Sequence, residues 1–331
     1  MKEKIRWGIL GTAQIARRAM VPALRESAMA EVVAIASRDI EKAQTFAKDL
    51  KIPKFFGSYS SLLADPEIDA VYIPLPNHLH KPWTILAAEA GKHILCEKPL
   101  ALNTDECQEM IAAANANNVQ LMEAFMYRYH PRILAAHQMV RDGALGDLKT
   151  IEASFTYFKE DTTNIRFKPE MGGGALMDVG CYCVNISRLM AGREPITVHA
   201  RLYQTSTGVD NQLVGLLDFG DGLMAHFDCA MNQEGRQRCL LAGTRGYLEI
   251  PNSFNIGKVE ACIKEYVGAE THRIHTFDAA NMYTLMAEDF MHSINGKPPT
   301  FLIEDALGNM RTIQALFKSA RQNGQPVVFK N

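Results

Sequence analysis

Residues 5–16, IRWGILGTAQIA, decide the fold of the first half of the chain. The run 5–10 is mostly apolar and predicts a short buried strand, and a helix is predicted from Gln14 to about Ser27. Between them, small residues recur in the pattern Gly11-x-Ala13-x-x-Ala16. Small residues at a strand-to-helix turn let an anion approach the N–H groups and the favourable dipole at the start of the helix. The stretch therefore predicts a βα unit that can bind phosphate, with a plain βα turn as the alternative.

Strands and helices alternate from this unit to residue 123. Further short strands are predicted at 31–37, 70–74, 93–96 and 120–123, with helices between them. Such alternation is typical of a parallel sheet with right-handed crossovers. The first half is therefore predicted to be an α/β domain with a doubly wound parallel sheet of the Rossmann type.

The pattern changes after about residue 148. Consecutive strand candidates follow one another, and hairpin signals such as Gly220-Asp221-Gly222 lie between some of them. This favours an α+β domain with a mostly antiparallel open sheet. We expect a first domain at 1–123 and a second at 124–331, with a C-terminal helix at about 303–323 that could pack back on the first.

Composition narrows the class of protein. The chain has 331 residues, 47% of them hydrophobic and 22% charged, with a net charge of −2. This gives no electrostatic reason to expect nucleic acid or an anionic membrane as partner, and no apolar run approaches the roughly 20 residues that span a bilayer. The seven cysteines include no Cys-x-x-Cys pair, which predicts reduced thiols in a cytoplasmic protein. Cys181-x-Cys183 is a poor metal pair because residues two apart on a helix diverge, so we expect no metal.

The second strand ends in Ser37-Arg38-Asp39. In a dinucleotide-binding sheet this position meets the adenosine ribose, and an arginine there can hold a 2′-phosphate with a fork of donors. The pattern favours NADP(H). NAD(H) stays possible if Asp39 takes the ribose and Arg38 faces solvent.

Two later strand ends carry polar residues at the same edge of the predicted sheet. The strand at 70–74 runs into a proline-stiffened loop with Asn77 and His80, both candidate cofactor contacts, although Asn77 could equally cap the next helix. The strand at 93–96 ends in Glu97-Lys98-Pro99. A lysine at this edge can donate to a substrate hydroxyl.

Longer stretches resemble the Gfo/Idh/MocA family, which includes glucose–fructose oxidoreductase and inositol dehydrogenase. The matching motifs, beside the opening turn, are Pro74-Leu75-Pro76-Asn77-His78-x-His80, Glu97-Lys98-Pro99, EAFMYRYHP at 123–131 and GGGALMDVGCY at 172–182. The tyrosine of Asp178-x-Gly180-x-Tyr182 resembles the branch of glucose–fructose oxidoreductase, dihydrodiol dehydrogenase and aldose dehydrogenases. The chain departs from the family at two glycines of the opening turn, which are alanines here.

The resemblance implies a set of site residues and a cis Lys98–Pro99 bond. The catalytic residues would be Lys98, Tyr182 and Asp178. Substrate would also meet Arg128 and Arg166, unless these arginines are ion-paired within the structure. The cofactor would meet Gly11, Thr12, Ala13, Gln14, Ile15, Ser37, Arg38, Leu75, Pro76, Asn77, His80, Glu97 and Lys98.

Spacing adds an independent argument that Asp178 and Tyr182 belong to one site. Asp178 and Tyr182 are four residues apart, so on a helix both would face the same side. The alternative for Tyr182 is a core tyrosine whose hydroxyl has an ordinary structural partner.

The expected activity is hydride transfer between nicotinamide and a carbinol carbon of a sugar, polyol or cyclic trans-diol, with Tyr182 moving the proton. One alternative is a keto-sugar reductase in a biosynthetic pathway. Another is a non-catalytic NADP-binding regulator on the same fold. We also expect a homodimer through the C-terminal sheet, because apolar residues occupy both alternating registers of 212–231, Leu213 and Leu217 in one against Val214 and Leu216 in the other.

Overall fold

The computed structural model describes residues 4–268 and 270–329. Contacts divide the chain into two compact units. The first comprises Met1–Met126 and Tyr283–Leu307, and the second comprises Tyr127–Met282 and Gly308–Asn331. The outermost residues of the two expected domains, 1–3 and 330–331, lie outside the described residues.

The regular elements are named here in chain order. The strands are β1 (Ile5–Leu10), β2 (Ala30–Ala36), β3 (Lys54–Phe56), β4 (Ala70–Ile73), β5 (His93–Cys96), β6 (Leu121–Glu123), β7 (Leu148–Phe158), β8 (Thr197–Gln204), β9 (Asp210–Asp218), β10 (Met224–Ala230), β11 (Asn232–Gly243), β12 (Tyr247–Pro251), β13 (Ala261–Val267), β14 (Glu270–Phe277) and β15 (Val327–Val328). The helices are α1 (Val21–Glu26), α2 (Ile40–Asp49), α3 (Tyr59–Leu63), α4 (His80–Glu89), α5 (Thr104–Ala116), α6 (Pro131–Arg141), α7 (Cys181–Ala191), α8 (Met282–Ile294) and α9 (Glu304–Arg321). Two π-helical turns, Ala16–Met20 and Leu176–Gly180, lead directly into α1 and α7.

The first unit is built on a six-stranded sheet in the order β3-β2-β1-β4-β5-β6. Its described strand pairs are parallel, as the alternation of strands and helices predicts. Short apolar strands with both faces covered by helices give such a sheet, and β4 is buried at all four residues. The predicted doubly wound α/β class is confirmed.

Helix α8 belongs to the first unit. Its Phe290 ring packs 5.6 Å from the ring of Trp7, which has no exposed surface. Thr284 Oγ1 also donates to the carbonyl oxygen of Ala23 at 3.1 Å. An apolar contact of the C-terminal part of the chain with the first unit therefore lies in α8, which precedes the helix expected at 303–323.

Helix α9 corresponds to the helix expected at 303–323. Only its first residues group with the first unit, and from Gly308 onward it belongs to the second. There Ser319 Oγ accepts a hydrogen bond from the backbone N–H of Ala200 at 2.9 Å. The packing of 303–323 against the first domain stays a prediction.

The second unit contains a nine-stranded sheet in the order β14-β13-β12-β11-β7-β10-β9-β8-β15. Its neighbouring strands are antiparallel except β7 and β10, which are parallel. Alternation along β9 separates the two faces: Leu213 and Leu217 have no exposed surface, while Val214 is 50% and Leu216 is 37% exposed. One face is therefore core and the other carries exposed apolar side chains.

No helix within the described residues is long and apolar enough to cross a membrane.

Candidate functional site

The turn after β1 has the geometry expected of a phosphate-binding turn. Gly11 has φ +110°, a conformation that side chains disfavour, and a Cβ on it would lie 2.9 Å from Leu75 Cδ2. The following helix starts at Gln14, and Ala16 is fully buried while Thr12, Ala13 and Gln14 reach the surface. The first N–H groups of a helix lack intrahelical acceptors. This accessible turn therefore fits a dinucleotide pyrophosphate, despite the alanines at two glycine positions.

The end of β2 favours a phosphate over a bare ribose. Asp39 accepts hydrogen bonds from the N–H groups of Glu41 and Lys42 at 3.1 and 3.2 Å, so its carboxylate caps α2. The hydrogen bond from the Lys42 N–H is the largest cause that lowers the pKa of Asp39. Ser37 is buried, with Oγ accepting from the Asp39 N–H at 3.2 Å, whereas Arg38 is exposed. Arg38 therefore stands at the strand end as an exposed cation.

Tyr59 is a residue that sequence reasoning missed. Its hydroxyl lies 3.7 Å from a Cβ built on Gly11, and its ring packs edge-on against Trp83 at 4.8 Å. Burial raises the pKa of Tyr59, and the Arg38 guanidinium opposes that rise. The hydroxyl thus stays protonated and lies between the turn at Gly11 and Arg38. A lone tyrosine at the start of a short helix gives no local signal for this position.

His80 occupies a different place from the one expected of a direct cofactor contact. Its ring has no exposed surface, with Nδ1 3.0 Å from the carbonyl oxygen of Pro99 and Nε2 2.8 Å from that of Leu75. Burial is the main cause that lowers the pKa of His80 to about 4, outweighing the carbonyl groups that favour the charged form. The predicted contact is therefore corrected: the enclosed ring connects the loops after β4 and β5 and positions both.

Asn77 and its neighbours form the partly exposed part of the loop after β4. Pro76 and Asn77 both reach the surface, and Asn77 begins a 3-10 turn, Asn77–Leu79, that precedes α4. The residue at the N-cap of α4 is Leu79. Asn77 is thus placed before the capping position, which leaves its predicted contact with the cofactor open.

The Glu97-Lys98-Pro99 segment follows β5 and contains the cis Lys98–Pro99 bond that the family resemblance implies. Tyr72, on the neighbouring strand β4, donates from its hydroxyl to Glu97 Oε1 at 2.5 Å. The backbone N–H of Lys98 donates to Glu97 Oε2 at 3.3 Å. Charged residues follow a buried strand here because the chain has reached the carboxyl edge of the sheet, where Glu97 and Lys98 are partly exposed.

In the second unit, Asp178 lies in the π-helical turn Leu176–Gly180 ahead of α7. Its Oδ2 accepts from Tyr157 Oη at 2.5 Å and from Arg166 Nε at 2.7 Å. The Asp178 charge is the largest cause that raises the pKa of Arg166. Arg166 is therefore ion-paired, the alternative that the sequence left open. Tyr157, which the sequence did not single out, belongs to the same cluster.

Tyr182 packs against a cluster of three aromatic rings. Its ring centroid lies 5.7 Å from that of Tyr127, 5.4 Å from Phe155 and 5.5 Å from Phe254. Only 5% of Tyr182 is exposed. Such packing fixes the direction of the ring, and hence of its hydroxyl, more strictly than helix spacing does. Because the preceding turn is π-helical, the four-residue spacing from Asp178 does not carry its usual α-helical geometry.

Arg128 is placed in the 3-10 turn Met126–Tyr129 and is 4% exposed. Its predicted substrate contact stays a prediction.

Comparison with known families agrees with this description of both units. Residues 5–125 match the family model "Oxidoreductase family, NAD-binding Rossmann fold", and residues 133–249 match "GFO/IDH/MocA C-terminal domain". D-xylose 1-dehydrogenase (NADP(+)) 2 from Haloferax volcanii is 38% identical over 321 residues, 95% of this chain and 97% of that protein. The chain belongs to the Gfo/Idh/MocA family of oxidoreductases. It is thus an NAD(P)-dependent oxidoreductase, as its motifs predict.

Other members of the Gfo/Idh/MocA family are similar over most of the chain. Trans-1,2-dihydrobenzene-1,2-diol dehydrogenase from Xenopus laevis is 36% identical over 252 residues, 75% of each chain. A 3-ketoreductase from Actinomadura kijaniata, solved with NADP and TDP-benzene, has a TM-score of 0.89 at 28% identity, covering 96% of this chain and 98% of its own.

The lowered pKa of His80 predicts an acid-sensitive contribution to stability. The unfolded histidine takes up a proton near pH 6.5 but the folded one only near pH 4, so stability is full above 6.5 and falls as the pH falls towards 4. At pH 5 the loss is about 2 kcal/mol. We expect the urea midpoint to fall less between pH 7.5 and pH 5 in His80→Gln than in the native protein.

His272→Gln is the matched control, because His272 is exposed. Its midpoint should fall with pH as the native midpoint does. An equal fall in the native protein and in His80→Gln would contradict the assignment of a buried, neutral His80.

Proposed function

We propose that the protein catalyses NADP-dependent hydride transfer between nicotinamide and a carbinol carbon of a sugar, polyol or cyclic trans-diol. The observation that carries the proposal is the arrangement at the start of α7. A tyrosine ring packed against three aromatic rings there follows a carboxylate that is held by a guanidinium and a phenol. Such a constellation is suited to moving a proton at a hydroxyl group while binding its neighbours.

The names of the relatives support the substrate class and the cofactor. Xylose and dihydrobenzenediol are both small molecules with adjacent hydroxyl groups, and the xylose enzyme is named for NADP(+). In this chain the exposed Arg38 at the end of β2 gives the same preference a physical reason, because Asp39 is engaged as a helix cap.

The ketoreductase supports the pairing of Lys98 with Tyr182. Its solved variants include a tyrosine-to-phenylalanine and a lysine-to-alanine substitution, at positions 84 residues apart. Lys98 and Tyr182 have the same separation. We therefore assign the proton-transfer role to Tyr182 and the supporting cation to Lys98.

When bound, NADP(H) supplies the hydride donor or acceptor, and the protein supplies orientation and the proton. Tyr182 Oη gives a proton to the reacting oxygen or takes one from it. A phenol with its ordinary pKa of about 10 is a weak base near neutrality, and a nearby cation favours its ionised form. The Lys98 ammonium also donates to the reacting oxygen and stabilises developing alkoxide charge. Asp178, ion-paired with Arg166, orients a neighbouring substrate hydroxyl.

Reduction of a keto-sugar is the second candidate. It uses the same residues in the opposite direction, and the name of the Actinomadura enzyme favours it. Absorbance at 340 nm distinguishes the two directions. One assay measures turnover of NADP with a panel of sugars, and the other measures turnover of NADPH with a panel of keto-sugars. A regulator without activity would show cofactor binding and no turnover in either arm.

Arg38→Ala should erase most of the preference for NADP(H). A charge-assisted contact is worth about 1.5–3 kcal/mol, so affinity for NADP(H) should fall roughly 10- to 150-fold while affinity for NAD(H) hardly changes. Fluorescence titration of both reduced cofactors measures this. Lys48→Ala, which removes an exposed cation from the far end of α2, serves as control. Native protein that binds NAD(H) as tightly as NADP(H) would refute the assignment.

Tyr182→Phe removes only a hydroxyl, so cofactor affinity should stay near native while turnover falls about 10²- to 10⁴-fold. Lys98→Met should reduce turnover at least as much. Tyr127→Phe is the matched control, because it removes a hydroxyl from the same aromatic cluster, one that donates to Asn185 Oδ1 at 2.6 Å. Its turnover should stay within several-fold of native. If Tyr182→Phe retains near-native turnover, Lys98 becomes the better candidate for the proton.

We also propose that the outer face of β9 and β10 forms a homodimer interface. Val214, Leu216 and Met224 are exposed there by 50%, 37% and 48%. Asp228 of β10, the cross-strand neighbour of Val214, pairs with Arg236 of β11, and Glu152 of β7 pairs with Arg238 of β11. An apolar patch with flanking charges on a sheet face is typical of a protein interface. The cytoplasmic location and the lack of nucleic-acid and membrane partners stay predictions.

Val214→Lys should convert the dimer into a monomer, because it places a charge in the centre of this apolar face. Light scattering at micromolar concentration should give twice the mass of one chain for the native protein and the mass of one chain for the variant. Leu86→Lys, at a site on α4 that is 43% exposed, should stay dimeric. A native monomer under these conditions would count against the proposal.

A further inference from the structure

Asp210, the first residue of β9, lies against the start of the helix that carries Asp178 and Tyr182. It is 3% exposed, and its Oδ2 accepts the backbone N–H of Leu176 at 2.6 Å. The N–H of Ala175 also faces this carboxylate. The first N–H groups of a helix need acceptors from outside the helix. Here the acceptor comes from a strand 34 residues further along the chain.

The residues just before the helix cannot supply this acceptor themselves. Residues 172–174 are glycines, without side chains. Gly174 has φ +115°, and a Cβ built on it would clash with Asp210 Oδ1. Aspartate is among the best capping residues, and its negative charge is favoured by the helix dipole. The glycines therefore leave the space that the Asp210 carboxylate fills.

The turn that follows is constrained at its other end as well. It is the π-helical turn Leu176–Gly180, and a Cβ on Gly180 would lie 2.6 Å from Cys229 Sγ on β10. Asp210 thus fixes where this turn begins, and close packing of Gly180 against β10 fixes where it ends. Asp178 lies within the turn, and Tyr182 lies two residues beyond it.

We infer that Asp210 is a positioning residue that sets the place of Asp178 and the direction of Tyr182 by holding the amino end of their helix. The inference rests on the proposed function of Tyr182. Asp210 acts through backbone N–H groups and the helix, and it is assigned no contact with substrate. A reacting group displaced by about 1 Å can lose up to roughly 10²-fold in rate.

The test compares Asp210→Ala and Asp210→Asn with the native protein. Turnover is expressed per site that binds NADPH in a fluorescence titration, so that unfolded protein does not count. Turnover should fall about 10- to 100-fold in Asp210→Ala, with KM changed much less. Asparagine keeps one acceptor oxygen, so Asp210→Asn should lie between native and Asp210→Ala.

Hydrogen exchange supplies a readout that does not depend on activity. Amides of 174–182 should exchange faster in both Asp210 variants, and most in Asp210→Ala. Asp218→Asn is the control, because Asp218 ends the same strand and accepts the N–H of Gly220 at 2.8 Å in a turn. Its turnover, and its exchange at 174–182, should match the native protein.

Native turnover per binding site, or unchanged exchange at 174–182, in Asp210→Ala would overturn the inference. If Asp210→Ala does not fold, Asp210→Asn decides, and native values of both quantities would overturn it. Tyr182→Phe is measured in parallel. If it retains turnover, the proposed role of Tyr182 fails; if it loses turnover while the Asp210 variants keep theirs, only the role of Asp210 fails.

Discussion

The parallel pairing of β1 with both β2 and β4 is the constraint on which the first unit depends. Leu10 pairs with Ala36, Ile9 with Tyr72, and Ile73 with Cys96, so these strands all end at one edge of the sheet. From β1 the chain first adds β2 and β3 on one side and then β4, β5 and β6 on the other. In open α/β folds, ligands bind where the strand order reverses in this way. This backbone arrangement places Gly11, Arg38 and Lys98, which are far apart in the chain, at the same edge of the sheet.

The second unit depends on how two carboxylates are used at the start of one helix. Asp210 is buried against backbone N–H groups; burial raises its pKa to about 7, although the N–H groups of Leu176 and Ala175 favour the charged form. Asp178 instead bonds side chains, Arg166 and Tyr157, and is partly open to solvent. One carboxylate therefore holds the backbone, and the other is available beside the hydroxyl chemistry proposed for Tyr182. The positive end of the helix dipole favours both charges.

Local sequence pattern predicted most of the fold and part of the site. The short apolar strands, the small residues at Gly11 and the charged end of β5 each depend on neighbours in sequence, so periodicity and strand order sufficed for them. The hydrogen bond from Leu176 to Asp210 and that from Tyr157 to Asp178 join residues distant in sequence, and no local pattern encodes such pairings. His80 shows the opposite error. A polar residue near the ligand-binding edge was expected to face the ligand. Instead, the ring nitrogens of His80 lie against two backbone carbonyl groups of the same unit.

The two tyrosines associated with Asp178 and α7 illustrate how environment divides roles among identical side chains. Burial, with the Asp178 charge, raises the pKa of Tyr157 well above that of an ordinary phenol, so Tyr157 keeps its proton and serves as a donor to the carboxylate. Its hydroxyl cannot act as a base near neutral pH. Tyr182, four residues after Asp178, instead packs against the rings of Tyr127, Phe155 and Phe254. Tyr157 therefore belongs to the support of Asp178, and this leaves Tyr182 as the phenol for the proton transfer proposed above.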